Sequence, residues 1–338
     1  MGVLINHMNQ PLGEVIERAR LAEKCGAGSI WLTQTAGQRE IGMLLSALAA
    51  NTGNVQLGMA VQPVYAHPPV VTAQTALTLD EFSGGRLILG LGVGHRVMGE
   101  WMMGGRYTPQ AEAMREYLTT VRSLVTEGEV NFAGRYYSGH ATYVAPRRPD
   151  LPLYMGALGP RMLELAGEVA DGVVVYMSSP AYLREQVMPR LRAGWARRPG
   201  GRPDGFDVVV MLFSSVCDDD EVRLYREWFR RWLAGYQCMD NYRKLFTMAG
   251  FAQEGRASDA MVSELAAIGR AEQVSQRVSE YREAGATRMI IFPMEGGQPD
   301  PAQFASVLDA AAADPADSRE HPGPALLRAR ISTGKEQP

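Results

Sequence analysis

Short apolar runs alternate along the chain with longer stretches whose apolar residues recur at helical spacing. This alternation predicts parallel βαβ units. Val3–Met8 is expected as the first strand, and Pro11 opens a helix to Glu23 with Val15, Ile16, Ala19 and Ala22 on one face. Cys25-Gly26 stops that helix, Ser29–Thr33 is the second strand, and Gly42–Ala50 belongs to the next helix. Val55–Gln62 is the third strand; Pro68-Pro69 starts a helix to Phe82, and Ser83-Gly84-Gly85 turns into a fourth strand, Arg86–Gly90. These strands are apolar throughout rather than alternating, as strands buried on both faces are.

The second half is less regular. Gln110–Glu127 is predicted as a helix, and Val130–Val144 as a small inserted hairpin before a fifth strand, Leu153–Ala157. A helix opens at Pro160-Arg161, followed by a sixth strand, Asp171–Met177, and a seventh, Phe206–Phe213. Asp218-Asp219-Asp220 suits a helix N-terminus, where the backbone dipole favours negative charge. Tyr236–Gly269 fits no βα unit and is assigned to extra helices over the active site; Ala271–Ala284 and Arg288–Phe292 form the last helix and strand. Eight strands is the number a closed barrel needs. The expected fold is therefore α/β: one (β/α)8 TIM barrel with insertions over residues 1–313, and a loose Pro-, Gly- and charge-rich tail over 314–338.

Composition narrows the function. No apolar run reaches the roughly 18 residues of a membrane helix, and the N-terminus lacks the pattern of a signal peptide. Cys25, Cys217 and Cys238 are far apart and odd in number, which points to a reducing cytoplasm and to neither disulfides nor zinc. A net charge of −3 argues against a nucleic-acid partner. The basic stretch Arg190, Arg192, Arg197, Arg198 and Arg202 reads as a solvated helix and loop.

Barrel enzymes bind ligands where strands end. That rule singles out Asn6 and His7, Gln34 and Thr35, Gln62 to Tyr65, Gly92 to His95, Gly156 to Gly159, Tyr176 to Ser179, and Glu295. Gly90-Leu91-Gly92-Val93-Gly94 opens no helix and has no acidic ribose partner, so it is no dinucleotide fingerprint. Its glycines let a flat ring approach the backbone, or else serve packing at a strand end. Gly156-Ala157-Leu158-Gly159-Pro160 feeds a helix N-terminus, either as a phosphate cradle or as an ordinary turn. No metal motif or nucleophile elbow is present, so a cofactor is expected to carry the chemistry. Trp101, Met102, Met103, Tyr236, Met239 and Tyr242 are either an apolar pocket or core.

One run of motifs is specific. Leu57-Gly58-Met59-Ala60-Val61, His67-Pro68, Ala73-Gln74, Thr78-Leu79-Asp80 and Ser83–Gly94 together resemble the bacterial luciferase-like superfamily, above all its coenzyme F420-dependent oxidoreductases. Weaker similarity extends from Gly2 to Ser179 and returns at Ala271–Phe292. The resemblance implies a barrel, a homodimer, and a deazaflavin across the strand ends. It implies a cis peptide at Ala60-Val61 behind the ring, and a phosphate near Gly156, Ala157, Leu158 and Gly159 and the end of the sixth strand at Tyr176. Asn6, Gln34, Thr35, Gln62, Gly92 and Gly94 complete the expected cofactor contacts, and His95, His7 and Tyr65 are the candidate proton donors. Where many relatives carry Asp-His after strand two, this chain has Gln34-Thr35; where the sugar-phosphate dehydrogenases carry Glu after strand four, it has His95. Sugar-phosphate oxidation is therefore not expected. The leading expectation is hydride transfer from reduced F420 to a C=C or C=N bond of a small organic substrate. The alternatives are an FMN-dependent monooxygenase and a non-catalytic barrel that binds flavin or a partner.

Overall fold

The computed structural model describes residues 1–106, 108–251, 256–294 and 301–313. The expected tail, Glu295 and part of Tyr236–Gly269 fall wholly or partly outside the described residues. Twelve strands are present: β1 (Gly2–Leu4), β2 (Ser29–Leu32), β3 (Gln56–Met59), β4 (Gln62–Pro63), β5 (Leu87–Gly92), β6 (Glu129–Ala133), β7 (Ser138–Thr142), β8 (Leu153–Gly156), β9 (Gly172–Tyr176), β10 (Asp207–Val216), β11 (Ala266–Gly269) and β12 (Arg288–Pro293). Eight of them close a parallel ring in the order β1-β2-β3-β5-β8-β9-β10-β12, with β12 returning to β1. This is a (β/α)8 barrel. The hairpin β6–β7 is the expected insertion.

Three details depart from the sequence pattern. The apolar run 55–62 is not one strand: it breaks after Met59 at a cis Ala60-Val61 peptide and resumes as β4, which pairs with β5. β1 ends at Leu4, short of the expected Met8, because Asn6 folds back in a turn whose carboxamide oxygen accepts from the Met8 amide at 3.1 Å. β11 was not legible at all. It is four residues long and directly follows the helix Asp259–Leu265, yet it pairs in parallel with the far half of β10.

The N-terminal end of the barrel is held by a buried polar network. The Asp207 carboxylate accepts from Arg288 Nε at 3.0 Å, from Thr287 Oγ1 at 2.8 Å and from the Tyr154 hydroxyl, while Arg288 Nη1 donates to Gln56 Oε1 at 2.8 Å. A buried ion pair is tolerable only when its remaining hydrogen-bonding capacity is also met, as here. Part of the motif run is framework of the same kind. Arg86 donates to the carbonyls of Ser83, Val55 and Ala49, and Asp80 accepts from the Leu87 amide and pairs with Arg148 at 3.1 Å. Burial pushes the Asp80 carboxyl up to about 6, against the pull of Arg148.

Helix ends follow local chemistry. Asp218 caps the helix Asp219–Gln237 by accepting from the Glu221 amide, and Gly84, at φ 72°, ends the helix Pro69–Ser83 in the left-handed conformation that glycine takes readily. In the basic stretch, Arg190 and Arg197 pair with Glu164, Arg198 reaches Asp171, and Arg202 lies over the Trp195 ring. Those charges are absorbed by neighbours.

Candidate active site at the strand ends

The C-terminal strand ends bring Asn6 and His7, Gln34 and Thr35, Val61, Gly92 to His95, Gly156 and Tyr176 to one face of the barrel. Their roles there are unequal. Val61 forms the centre: an ideal Cβ on Gly92 would stand 2.5 Å from Val61 Cγ2, and one on Gly156 would stand 3.2 Å from Cγ1. On the interior side these two glycines make room for a valine. Gly94, at φ 58°, is needed for its backbone conformation and turns the chain toward the helical turn Val97–Met102.

Several expected cofactor contacts are already engaged within the protein. Gln34 Oε1 accepts from the Ile41 amide at 2.8 Å and its Nε2 reaches the Thr35 carbonyl at 3.3 Å, so this side chain fastens the start of the helix Ile41–Asn51. Gln62 is buried and donates to Thr72, whose hydroxyl is shared with Tyr117 at 2.6 Å. Ala157 spends its amide on the Val174 carbonyl, and Leu158 spends its carbonyl on the Tyr182 hydroxyl. Tyr65 packs under Gly99 and Gly105, where added Cβ atoms would lie 3.2 Å from it. Around Gly159 the space is open, and no side chain caps the helix Pro160–Val169.

Other atoms have capacity left. His7 Nε2 lies 3.0 Å from the Thr33 carbonyl, an acceptor, so this nitrogen carries the proton and Nδ1 is a buried lone pair that meets no protein donor. Arg39 clasps the same loop, donating to the carbonyls of His7 at 2.8 Å and Gln10 at 2.7 Å. Among the described residues, Thr35 Oγ1 and His95 Nδ1 are likewise buried without a hydrogen-bond partner. Burial lowers both imidazoles below the ordinary histidine range; at His7, Arg39 adds to the effect and the Thr33 carbonyl opposes it. Both rings are neutral at neutral pH.

Beside His95 stands an aromatic wall that the strand-end rule did not supply. Its ring lies 5.5 Å from that of Tyr242 and 6.4 Å, edge-on, from that of Tyr236. Tyr236 in turn meets Tyr242 at 4.7 Å and Tyr176 at 5.4 Å, and Trp232 continues the wall toward Phe213 and Phe292. Trp232 and Tyr236 come from the helix Asp219–Gln237 and Tyr242 from Asp240–Met248, Tyr236 and Tyr242 lying in the segment that fitted no βα unit, whereas Tyr176 is the expected end of β9. Trp101 and Met102, grouped with them in the sequence, are exposed and so are not core. The signal available was the spacing Trp228, Trp232, Tyr236, one aromatic per helical turn. Among the described residues no cluster of His, Cys, Asp and Glu could hold a metal, and no helix is long and apolar enough to cross a membrane.

A barrel with a neutral histidine and aromatic rings at its strand ends suits a planar, apolar guest. The profile of the luciferase-like monooxygenase family matches residues 2–288. The chain belongs to that family. Within it, a 5,10-methylenetetrahydromethanopterin reductase of Methanolobus tindarius is 33% identical over 211 residues, which is 62% of this chain and 64% of that one. The match thus spans less than two thirds of that relative. Among solved structures, an F420-dependent secondary alcohol dehydrogenase in complex with an F420-acetone adduct superposes with a TM-score of 0.75 over 92% of this chain and 98% of its own, at 21% identity. The oxygenating constituent of 3,6-diketocamphane monooxygenase from Pseudomonas putida, in complex with FMN, gives 0.74 over 93% and 96% at 17% identity. At those identities the two structures speak for the shared fold of the family alone.

Proposed function

We propose that this luciferase-like chain is an oxidoreductase that uses reduced coenzyme F420 to reduce a C=C or C=N bond of a small organic substrate, working as a cytoplasmic homodimer. The observation that carries the reading is His95. It is a half-buried, neutral imidazole with a buried, unpartnered Nδ1, set between the strand ends and an aromatic wall. Among the sequence relatives, a putative coenzyme F420-dependent oxidoreductase of Mycobacterium tuberculosis is 28% identical over 322 residues, 83% of this chain and 91% of that one, which supports F420 over FMN.

The residues fit such a cofactor. Val61 offers an apolar surface among glycines, Thr35 Oγ1 and His7 Nδ1 offer polar contacts, and the uncapped turn at Gly159 offers backbone donors to a phosphate. When bound, a reduced deazaflavin supplies the hydride. The chain's own part is to exclude water with the Tyr236 and Tyr242 rings, to orient the substrate, and to manage at His95 the proton that the reduced bond must gain. Tyr65, held under Gly99 and Gly105, is the weaker candidate for that proton.

Titration with F420 and, in parallel, with FMN tests the reading. F420 fluorescence is expected to change saturably at micromolar protein. Retention of FMN by the purified protein with no response to F420 would overturn it.

A further inference from the structure

The wall beside His95 contains a hydrogen-bond chain with a fixed direction. An indole nitrogen can only donate, and Trp232 Nε1 donates to the Tyr176 hydroxyl at 3.1 Å. The Tyr176 hydroxyl donates its own hydrogen onward to the Tyr236 hydroxyl at 3.2 Å. Tyr236, at the end of the chain, must aim its hydrogen away from both. Among the described residues no group accepts it. The Tyr236 ring meets that of His95 edge-on at 6.4 Å, so the residue that ends the chain packs against the imidazole with the unpartnered nitrogen.

We propose that Tyr236 is the substrate-orienting donor of this site and that the substrate is an α,β-unsaturated carbonyl compound whose oxygen accepts the Tyr236 hydrogen. The proposal rests on the reductase reading above and deepens it by naming the substrate class. Two polar groups then divide the work. Adding hydride to the β carbon of such a compound moves the π electrons onto the carbonyl oxygen, where the Tyr236 hydroxyl meets the developing negative charge. The α carbon then takes a proton from water, directly or by way of His95, and the product is the saturated carbonyl compound. The hydride comes from the reduced deazaflavin of the reading above. A hydroxyl already receiving a hydrogen bond is a stronger donor at its other end. Burial holds Tyr176, Tyr236 and Tyr242 above the ordinary phenol range, so all three remain protonated donors at neutral pH.

The test uses 4-(dimethylamino)cinnamaldehyde, an enal whose visible absorption moves to the red when its carbonyl oxygen accepts a hydrogen bond. The full chain is titrated with it, with and without F420. The wild type is expected to bind the dye with a red shift. Tyr236→Phe should keep the dye's affinity within a few-fold and lose most of the shift, with an unchanged thermal midpoint. Trp232→Phe should reduce the shift, because the chain that strengthens the Tyr236 donor loses its first hydrogen bond. Tyr242→Phe, whose hydroxyl is not in the chain, should retain it. No shift in the wild type, an undiminished shift in Tyr236→Phe or Trp232→Phe, or loss of the shift in Tyr242→Phe would each overturn the proposal. A red shift in a protein that ignores F420 leaves Tyr236 in its role and removes the deazaflavin reading; F420 binding without a red shift does the reverse.

Discussion

The side chain of Val61 stands where a side chain on Gly92 would have to be, 2.5 Å from the position of its Cβ. One valine, just past the end of the third barrel strand, fills a slot whose neighbouring walls, Gly92 and Gly156, have no side chains. Gly92→Ala is therefore an overpacking change, expected to cost about 1–3 kcal/mol in urea unfolding. Val61→Ala should recover much of that loss in the double variant. An additive double-mutant cycle would show that Val61 is not the obstacle.

At the opposite end of the barrel, Asp207 and Arg288 lie 3.0 Å apart and nearly sealed from water. Asp207→Ala leaves the guanidinium buried without its carboxylate, a change worth about 3–5 kcal/mol. Because the N-terminal end of a (β/α)8 barrel lies away from the ligand-binding strand ends, the variant that remains folded at low temperature should bind F420 as the wild type does. A large drop in F420 affinity without a drop in unfolding midpoint would contradict this division of labour.

What the sequence disclosed follows the range of the interactions involved. Strand and helix order was legible because buried strands such as Val173–Val175 and helices such as Leu12–Lys24 carry their pattern locally. The cis peptide at Ala60-Val61 came from family resemblance, not from pattern. The ring of strand-end residues was legible as positions but not as directions. Gln34 and Gln62 sit at the expected end, yet their partners are Ile41 and Thr72, which nothing in their immediate sequence marks. The aromatic wall was the hardest part. Tyr236 reaches His95 across more than a hundred residues of chain, and only the closed barrel brings them together.

The helices Ile41–Asn51 and Pro69–Ser83 expose Met43, Val71 and Phe82 although their inward faces already supply the core. In the proposed homodimer, these exposed apolar residues on adjacent helices are the surface for the second subunit. Light scattering at micromolar concentration should report a dimer, and Met43→Glu with Phe82→Glu should shift it to monomer. A wild-type monomer under those conditions would remove the homodimer from the proposed function.

His95 and His7 both lose from acid. The folded-state pKa of each is depressed below the ordinary value of 6.5, chiefly by burial. Between the folded and unfolded values the unfolded chain binds more protons, so stability rises with pH in that window and is lost as pH falls below about 6.5. His95→Gln removes one of the two titrations and should flatten the acid side of the stability profile, with His7→Gln flattening the remainder. The same substitution separates two roles in the reaction. Glutamine keeps a hydrogen-bonding group in place but cannot pass a proton. If His95 handles the proton, turnover at saturating F420 should fall by about 10²–10⁴-fold, the usual contribution of a positioned acid–base group, while F420 affinity changes little. If affinity falls and saturated turnover does not, His95 holds the cofactor and the proton comes from elsewhere, with Tyr65 or water next in line.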